Sequence, residues 1–249
     1  MMSGAPSIVA LIPARSGSRR ITDKNVRVLC GHPLLAYSIA SAKASGLFGE
    51  VIVSTDSHEY AGIAEEYGGK VPFLRPSEFA QEHSTDIGWV SYTLRELRTG
   101  GSAFECFAIL RPTSPFRTEG TIRRAWQAFR EARDVDSLRA VEPCRQHPGK
   151  MWVIRRNLLI PILPYENDGI PWHSSPYQSL PQVYIQNASL EIAWSRVALE
   201  GNSISGVKIV PFITEGYEGF DINEPMDFDF AEYLVQRGVA VLPTCRTMR

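Results

Sequence analysis

The stretch that decides the fold is "SIVALIPARSGSRRITDKN" (residues 7–25), in which a short apolar run leads directly into a strongly cationic loop. The run at 7–12 is typical of a strand buried on both faces of a parallel sheet. The loop then places four cations around a single glycine, Gly17: Arg15, Arg19, Arg20 and Lys24. Such a crowd of like charge repels itself unless an anion binds there, so the sequence predicts an anion site directly after the first strand.

Strand-like and helix-like patterns alternate after this loop. Strands are predicted at 50–55, 71–74, 106–111, 182–194 and 207–213. Helices are predicted at 33–46, from an Asp56–Glu59 capping pair to Gly68–Gly69, at about 86–98, at 118–133 with Thr118 as cap, and at 224–238. The alternation predicts an α/β fold, a Rossmann-like three-layer α/β/α arrangement around a mostly parallel sheet.

One segment breaks the alternation. Residues 143–182 are rich in proline with interspersed aromatic residues, a composition too apolar for a disordered linker. We therefore expect a single domain over residues 1–249 that carries an inserted lid or dimerisation arm at about 143–185.

Composition limits the function classes. The 249 residues are 44% hydrophobic and 21% charged with a net charge of -1, which is ordinary for a soluble globular protein and lacks the basic field of a nucleic-acid binder. The four cysteines show no paired spacing, so reduced thiols are expected rather than zinc or disulfides. No apolar run reaches the roughly 20 residues of a membrane span, and no signal peptide is recognisable. We expect a cytoplasmic protein without membrane or nucleic-acid partners.

The loop chemistry suits a small polyanion. Gly17, between Ser16 and Ser18, lets the backbone approach a phosphate and donate N–H groups to it. Arg15, Arg19 and Lys24 add charge-assisted bonds to phosphate oxygens. Neither the Walker spacing nor G-x-G-x-x-G is present.

The segment "IPARSGSRRITDKN" (12–25) resembles the first motif of the acylneuraminate cytidylyltransferases, which activate sialic acid and related nonulosonic acids as CMP-sugars. "LRPTSPFRT" (110–118) and "GFDINEPMDF" (219–228) are similar to later motifs of the same family, and the resemblance spans roughly residues 7–237. It implies a nucleotide-diphospho-sugar transferase-like fold, CTP and a nonulosonic acid as substrates, Mg²⁺ as cofactor and a homodimer.

The resemblance also implies site residues. Arg15, Lys24 and Asp221 would be catalytic, and Asp221 and Asn223 would hold the metal. The nucleotide would contact Ala14, Arg15, Ser16, Gly17, Ser18, Arg20, Lys24, Asn25, Arg75 and Ser84. The sugar would contact Arg111, Thr113, Ser114, Lys150 (supported by His147), Tyr184, Gln186 and Asn187.

The chain departs from the family pattern at several of these positions. Asn223 replaces the second aspartate of D-x-D, which removes one negative charge from the metal site. Asp221 could instead be a helix cap, and Asp227 is expected to pack or cap. Arg111 replaces a common glutamine, so it could bind a carboxylate or another acidic group of the substrate, or it could belong to a structural turn and form a surface ion pair. Ala188 replaces a glycine, and Glu191 or Ile192 falls where an aromatic residue is usual.

Three alternatives stay open at this point. The same fold could use GTP or a 3-deoxy-octulosonate. A non-catalytic nucleotide- or sugar-binding relative would account for the departures at Arg111, Ala188 and Asn223. A nucleotide-sugar glycosyltransferase would need a D-x-D after a strand, whereas Asp134-Val135-Asp136 follows a predicted helix.

Overall fold

The structure, a computed structural model, describes residues 5–248. The chain divides into two compact units, a larger one up to Ala140 and from Asn187 onward, and a smaller one over Val141–Gln186. The strands are β1 (Ile8–Pro13), β2 (Val28–Leu29), β3 (His32–Pro33), β4 (Glu50–Ser54), β5 (Cys106–Ile109), β6 (Ser137–Pro143), β7 (Trp152–Arg155), β8 (Leu158–Pro161), β9 (Glu166–Asn167), β10 (Ile170–Pro171), β11 (Tyr184–Trp194) and β12 (Ile209–Ile213). The α-helices are α1 (Leu34–Ser45), α2 (His58–Glu66), α3 (Asp86–Thr99), α4 (Glu119–Glu131), α5 (Ser195–Leu199) and α6 (Pro225–Gln236).

Six strands form the central sheet in the order β12-β6-β11-β5-β1-β4. Strand β1 lies between β4 and β5 and is parallel to both, with Leu11 opposite Ile52 on one side and Ile109 on the other. Strand β11 runs antiparallel to β5. The predicted α/β fold with a mostly parallel sheet is confirmed.

The alternating side chains of β1 build both faces of the core. Ile8, Ala10 and Ile12 pack into a cluster with α1, α2 and α4, whereas Val9 and Leu11 pack into a second cluster with α3 and α5. Successive side chains of a strand point to opposite faces, so one apolar run without polar interruptions fills both layers. This confirms the three-layer arrangement.

A third apolar cluster seats α6 beside the loop that follows β1. Phe228 of α6 packs there with Ile21, Leu29 and Ile222, and Ile222 is fully buried. The buried Ile222 fixes the turn that precedes α6, which carries Asp221 and Asn223.

The five predicted helices form, three of them with an expected end signal. Helix α1 ends at Gly46, whose φ of 67° is left-handed, and Gly238 with φ 65° follows α6. Thr118 caps α4 by accepting a hydrogen bond from the Thr121 amide. None of the helices in residues 5–248 combines the length and the apolar composition needed to cross a bilayer.

Two local predictions are wrong. Residues 71–74 are irregular rather than a strand, because Pro72 has no N–H to donate, and the only pairing next to them is an isolated bridge between Ile52 and Lys70. Asp56 does not cap α2. Ser57 is the cap, with its side chain accepting a hydrogen bond from the Tyr60 amide, because the Asp56 carboxylate is bound elsewhere.

The smaller unit contains a β7–β8 hairpin with exposed apolar side chains, among them Ile154 (74% exposed) and Leu158 (68%). Lys150 donates to the backbone oxygen of Ser175 at 2.7 Å. His147 is buried and satisfied, because one ring nitrogen accepts from the Gly149 amide and the other lies 3.0 Å from the Pro181 oxygen. Both groups are bound within the unit itself.

Candidate active site

A cleft of about 360 Å³ lies at the carboxyl ends of β1 and β5, where ligands bind in open α/β sheets. The structure brings many of the residues implied by the resemblance into its lining: Arg15, Ser18, Arg20, Lys24, Asn25, Arg75, Ser84, Arg111 and Thr113. Glu82 and Asp86 contribute carboxylates to the same lining, but cations outnumber them. The cleft is therefore suited to an anionic ligand.

The loop after β1 is tied down at both ends. The Ala14 amide donates to the Ser54 oxygen at 2.9 Å, and the Asn25 side chain donates to the Arg15 oxygen at 3.0 Å. Gly17 has a φ of +68°, which suits a residue without a Cβ, and has open space around it. Both Ser16 donors, the amide and the hydroxyl, are bound by Asp56 at 2.7 and 2.8 Å. While these two bonds are in place, neither donor can bind a ligand, which differs from the expectation that Ser16 contacts the nucleotide.

Lys24 connects the cleft to the turn that precedes α6. Its ammonium donates to the Ile222 oxygen at 3.0 Å, while the Ile222 amide donates to the Thr113 oxygen at 2.8 Å. Burial lowers the pKa of Lys24 below its ordinary value, although the nearby Asp221 carboxylate acts against the shift. The turn is thus held between two residues of the cleft wall.

Asp221 has one oxygen free within this turn. Its Oδ2 accepts from the Asn223 side chain at 2.6 Å, whereas its Oδ1 is buried with no hydrogen-bond partner among residues 5–248. The alternative role of Asp221 as the helix cap is wrong, because Glu224 occupies the N-cap position. Asp227 does cap, as expected, by accepting from the amides of Asn223 and Glu224 at 2.7 Å each.

Arg75 forms a planar wall with Trp89. Its guanidinium lies 4.7 Å from the centre of the Trp89 ring and donates to the hydroxyl and the backbone oxygen of Ser54. Burial lowers the pKa of Arg75 to about 10, with Asp56 and Asp86 acting against it. Ser84 shapes the facing turn, because its hydroxyl donates to the Glu78 oxygen at 2.8 Å.

Arg111 is held by an internal charge network. Its Nη2 lies 2.7 Å from Asp86 and 2.9 Å from Glu191, and Glu191 binds Arg139 at 2.7 Å. Burial alone would lower the pKa of Arg111, but the two carboxylates raise it above its ordinary value. Burial acts to raise the pKa of Asp86, and the Arg111 charge outweighs it and lowers that pKa. Arg111 is thus in an ion pair, as one of its two interpretations predicted, but the pair with Glu191 is largely buried rather than at the surface.

Two contacts span the mouth of the cleft. Arg19 pairs with Glu82 at 2.8 Å, and Arg15 donates weakly to the Ala80 oxygen at 3.4 Å. Both side chains of the Arg19–Glu82 pair are well exposed, so solvent screens the attraction. A polyanion would compete with Glu82 for the same guanidinium.

The other expected sugar contacts are divided between the two units. Ser114 is buried, its hydroxyl has no hydrogen-bond partner among residues 5–248, and Asn187 donates to the Thr214 hydroxyl at 2.9 Å. Lys150, Tyr184 and Gln186 belong to the smaller unit.

Several residues of this site were not predicted from the sequence: Asp56, Glu82, Asp86 and Trp89. Asp86 and Trp89 are three residues apart at the start of α3, and the Trp89 indole donates to Asp86 at 2.9 Å. That spacing was a signal for a shared helix face.

Asp134-Val135-Asp136 has a structural role at Asp136, whose Oδ2 accepts from the amides of Val207 and Lys208 at 2.9 and 3.1 Å. These two hydrogen bonds hold the loop that precedes β12 in place.

Comparison with known proteins agrees with this fold. The chain has the fold of a solved CMP:2-keto-3-deoxy-manno-octonic acid synthetase complexed with CTP, which it matches at a TM-score of 0.68 and 13% identity, over 93% of this chain and 99% of that one. Residues 9–142, more than half of the chain, match the cytidylyltransferase family. The chain belongs to this family, which confirms the resemblance.

Two curated relatives match over 92% of this chain. A CMP-N,N'-diacetyllegionaminic acid synthase of Legionella pneumophila is 33% identical, with 96% of that protein covered. An N-acylneuraminate cytidylyltransferase of Escherichia coli is 30% identical, and the match covers 52% of that longer protein.

Proposed function

We propose that this protein is a CTP-dependent cytidylyltransferase that converts a nonulosonic acid to its CMP-sugar for surface glycan synthesis. The sugar hydroxyl oxygen forms a bond to the α-phosphorus of CTP, the bond from that phosphorus to the bridging oxygen of the β-phosphate breaks, and pyrophosphate leaves with the electron pair. The hydroxyl proton passes to solvent. The observation that carries the proposal is the cation-lined cleft at the carboxyl edge, in a chain whose 33% identical relative matches almost end to end.

The chain's own residues would act by charge neutralisation and positioning, since this displacement needs no covalent enzyme intermediate. Arg15, Arg20 and Lys24 would bind the triphosphate, with the left-handed Gly17 allowing close approach of the backbone. The wall formed by Arg75 and Trp89 would flank the base. A guanidinium–indole stack leaves a flat surface against which a pyrimidine ring can lie.

Asp221 and Asn223 fit the proposed Mg²⁺. Asp221 Oδ1 is an unpartnered buried oxygen, and carboxylate and carboxamide oxygens are ligands that this ion accepts. Residues 5–248 contain no group of three or more His, Cys, Asp or Glu side chains placed for a metal. A site with few protein ligands suits an ion that keeps several waters and binds substrate phosphates. When bound, Mg²⁺ would neutralise phosphate charge.

We further propose a homodimer in the cytoplasm. The exposed apolar side chains of the β7–β8 hairpin, including Ile154 and Leu158, support a protein-binding role for the smaller unit. None of the four cysteines, all within the described residues, is in a disulfide, which suits a reducing compartment.

The test is pyrophosphate release with Mg²⁺, with CTP, GTP, UTP and ATP crossed against nonulosonic and octulosonic acids. Turnover with CTP and a nonulosonic acid is expected. Turnover only with GTP or only with an octulosonate would replace the proposed substrates. Nucleotide binding without turnover across the panel would favour a binding protein.

A further inference from the structure

The connection after β4 provides a carboxylate that no part of the proposed chemistry uses. Asp56 follows Thr55 at the carboxyl end of β4, next to the loop that follows β1. Its Oδ1 accepts the Ser16 amide at 2.7 Å, and its Oδ2 accepts the Ser16 hydroxyl at 2.8 Å. Two short bonds to one residue fix both the backbone and the side chain of Ser16, immediately before Gly17.

A second bond from the same region holds the far part of the loop. Tyr60, the residue of α2 whose amide is bound by the Ser57 cap, donates its hydroxyl to Asp23 at 2.8 Å. Tyr60 is almost wholly buried, so this bond is fixed to the core. Asp23 has a φ of +51°, a conformation that a non-glycine residue keeps only where its surroundings hold it.

Gly17 and Arg20 lie between these two attachments, and Arg15 and Lys24 directly adjoin them, so the attachments bracket the residues proposed to bind phosphate. The cations of this loop repel one another, which disfavours a single compact conformation. If the loop became ordered only when the ligand binds, the lost conformational entropy would weaken binding. The Asp56 carboxylate also places a negative charge near Arg75, which Arg15 of the loop repels, so it offsets part of the repulsion at this side of the cleft.

We infer that Asp56 is a positioning residue that holds the 15–25 loop in its anion-binding conformation before the nucleotide arrives, with the Tyr60–Asp23 bond as a second attachment. The inference rests on the proposed function of that loop. Asp56 acts through Ser16, and its two acceptor oxygens turn the Ser16 donors inward, so an incoming phosphate meets the Gly17 side of the loop.

The test compares Asp56→Ala with Asp56→Asn. An asparagine accepts the Ser16 amide with its oxygen and donates to the Ser16 hydroxyl with its nitrogen, so it keeps two bonds without the charge. Asp56→Ala is expected to weaken CTP binding by about tenfold or more by calorimetry, as lost preorganisation predicts. Asp56→Asn is expected to stay within about threefold of the parent.

Hydrogen exchange of the unliganded protein gives a second readout. Loop amides at 16–25 should exchange faster in Asp56→Ala, while those of β1 stay protected. Glu59→Ala, which removes an exposed carboxylate from the same end of α2, is the matched control and should change neither readout. If Asp56→Ala does not fold, Ser16→Ala and Tyr60→Phe each remove one bond and should give smaller changes in the same direction.

The outcomes separate the two claims. Unchanged loop exchange and CTP affinity in Asp56→Ala would overturn the positioning role, as would an Asp56→Asn protein as defective as Asp56→Ala. A parent protein that binds no nucleoside triphosphate would overturn the proposed function, while faster loop exchange in Asp56→Ala would still support the positioning of the loop.

Discussion

Arg111 Nη2 lies 2.9 Å from Oε1 of Glu191, so the arginine that replaces a common glutamine is bonded to a carboxylate of β11. Glu191 is buried, and its second oxygen binds Arg139. A lone charge at either position would be costly to bury, whereas the pair is compensated. Arg111 and Glu191 therefore depend on each other.

The first prediction concerns this pair. Arg111→Met or Glu191→Ala alone should lower the free energy of unfolding by about 2–4 kcal/mol, because each leaves a buried charge with too few partners. The loss in the free energy of unfolding of the double variant should be smaller than the sum of the two single losses by about 1–3 kcal/mol, as expected for residues in direct contact. Denaturant unfolding of all four proteins measures the coupling.

The Lys208–Asp134 pair, whose side chains are 58% and 84% exposed, is the control and should show coupling of about 1 kcal/mol or less. Equal coupling in the two pairs would contradict the assigned role of burial.

The second prediction concerns pH. In the proposed function Lys24 binds the triphosphate in its protonated form, and burial lowers the pKa of Lys24 from the ordinary 10.5. Binding should be retained below the pKa of Lys24 and lost as pH rises through it, which begins at a lower pH than for an ordinary lysine. Titration of CTP affinity against pH measures this. Lys24→Arg should retain its CTP affinity to a higher pH than the parent protein. Identical profiles of CTP affinity against pH for the two proteins would contradict Lys24 as the titrating group.

The third prediction concerns the proposed metal ligands. Asn223→Asp adds a carboxylate beside Asp221 and should lower the Mg²⁺ concentration for half-maximal activity, because ligand charge raises affinity for a hard cation. Asp221→Asn should raise it. Asp227→Asn, which weakens the α6 cap, should instead cost about 1 kcal/mol of stability with the Mg²⁺ requirement unchanged. If the Mg²⁺ concentration for half-maximal activity changed only in Asp227→Asn, the assignment of Asp221 and Asn223 as metal ligands would be wrong.

The fourth prediction concerns the mouth of the cleft. Glu82→Gln removes the anion that pairs with Arg19, so CTP affinity should rise by about threefold at low salt and less at high salt. Isothermal titration at two ionic strengths measures it. Glu96→Gln, on the exposed side of α3, is the control. A loss of affinity in Glu82→Gln would mean that the carboxylate assists binding.

The fold was predictable where neighbouring residues decide the conformation. The strand formed by the run at 7–12 and the cap at Thr118 could be predicted from the sequence, because burial and capping depend on a few neighbouring residues. The segment 71–74 is also apolar, but Pro72 interrupts its pairing, so its composition does not imply a strand.

The site was predictable only in part, because its bonds join residues far apart in the chain. Asp56 carries the same D-x-x-E spacing whether it caps α2 or binds Ser16, forty positions away. The partner of Arg111 likewise lies eighty positions away, on β11. The family motif identified the loop cations, since their clustering is local, but side-chain partners depend on which strands become neighbours.

The clustering of cations in the cleft has a consequence for how ligands should be sought. Arg15, Arg19, Arg20 and Lys24 repel one another, so any multivalent anion that binds between them stabilises the protein through mass action. In a melting-temperature screen, sulfate, polyphosphates and every nucleotide should therefore stabilise the protein in order of their charge. Such a ranking does not report recognition of the base or the sugar, so selectivity should be measured by comparing ligands of equal charge.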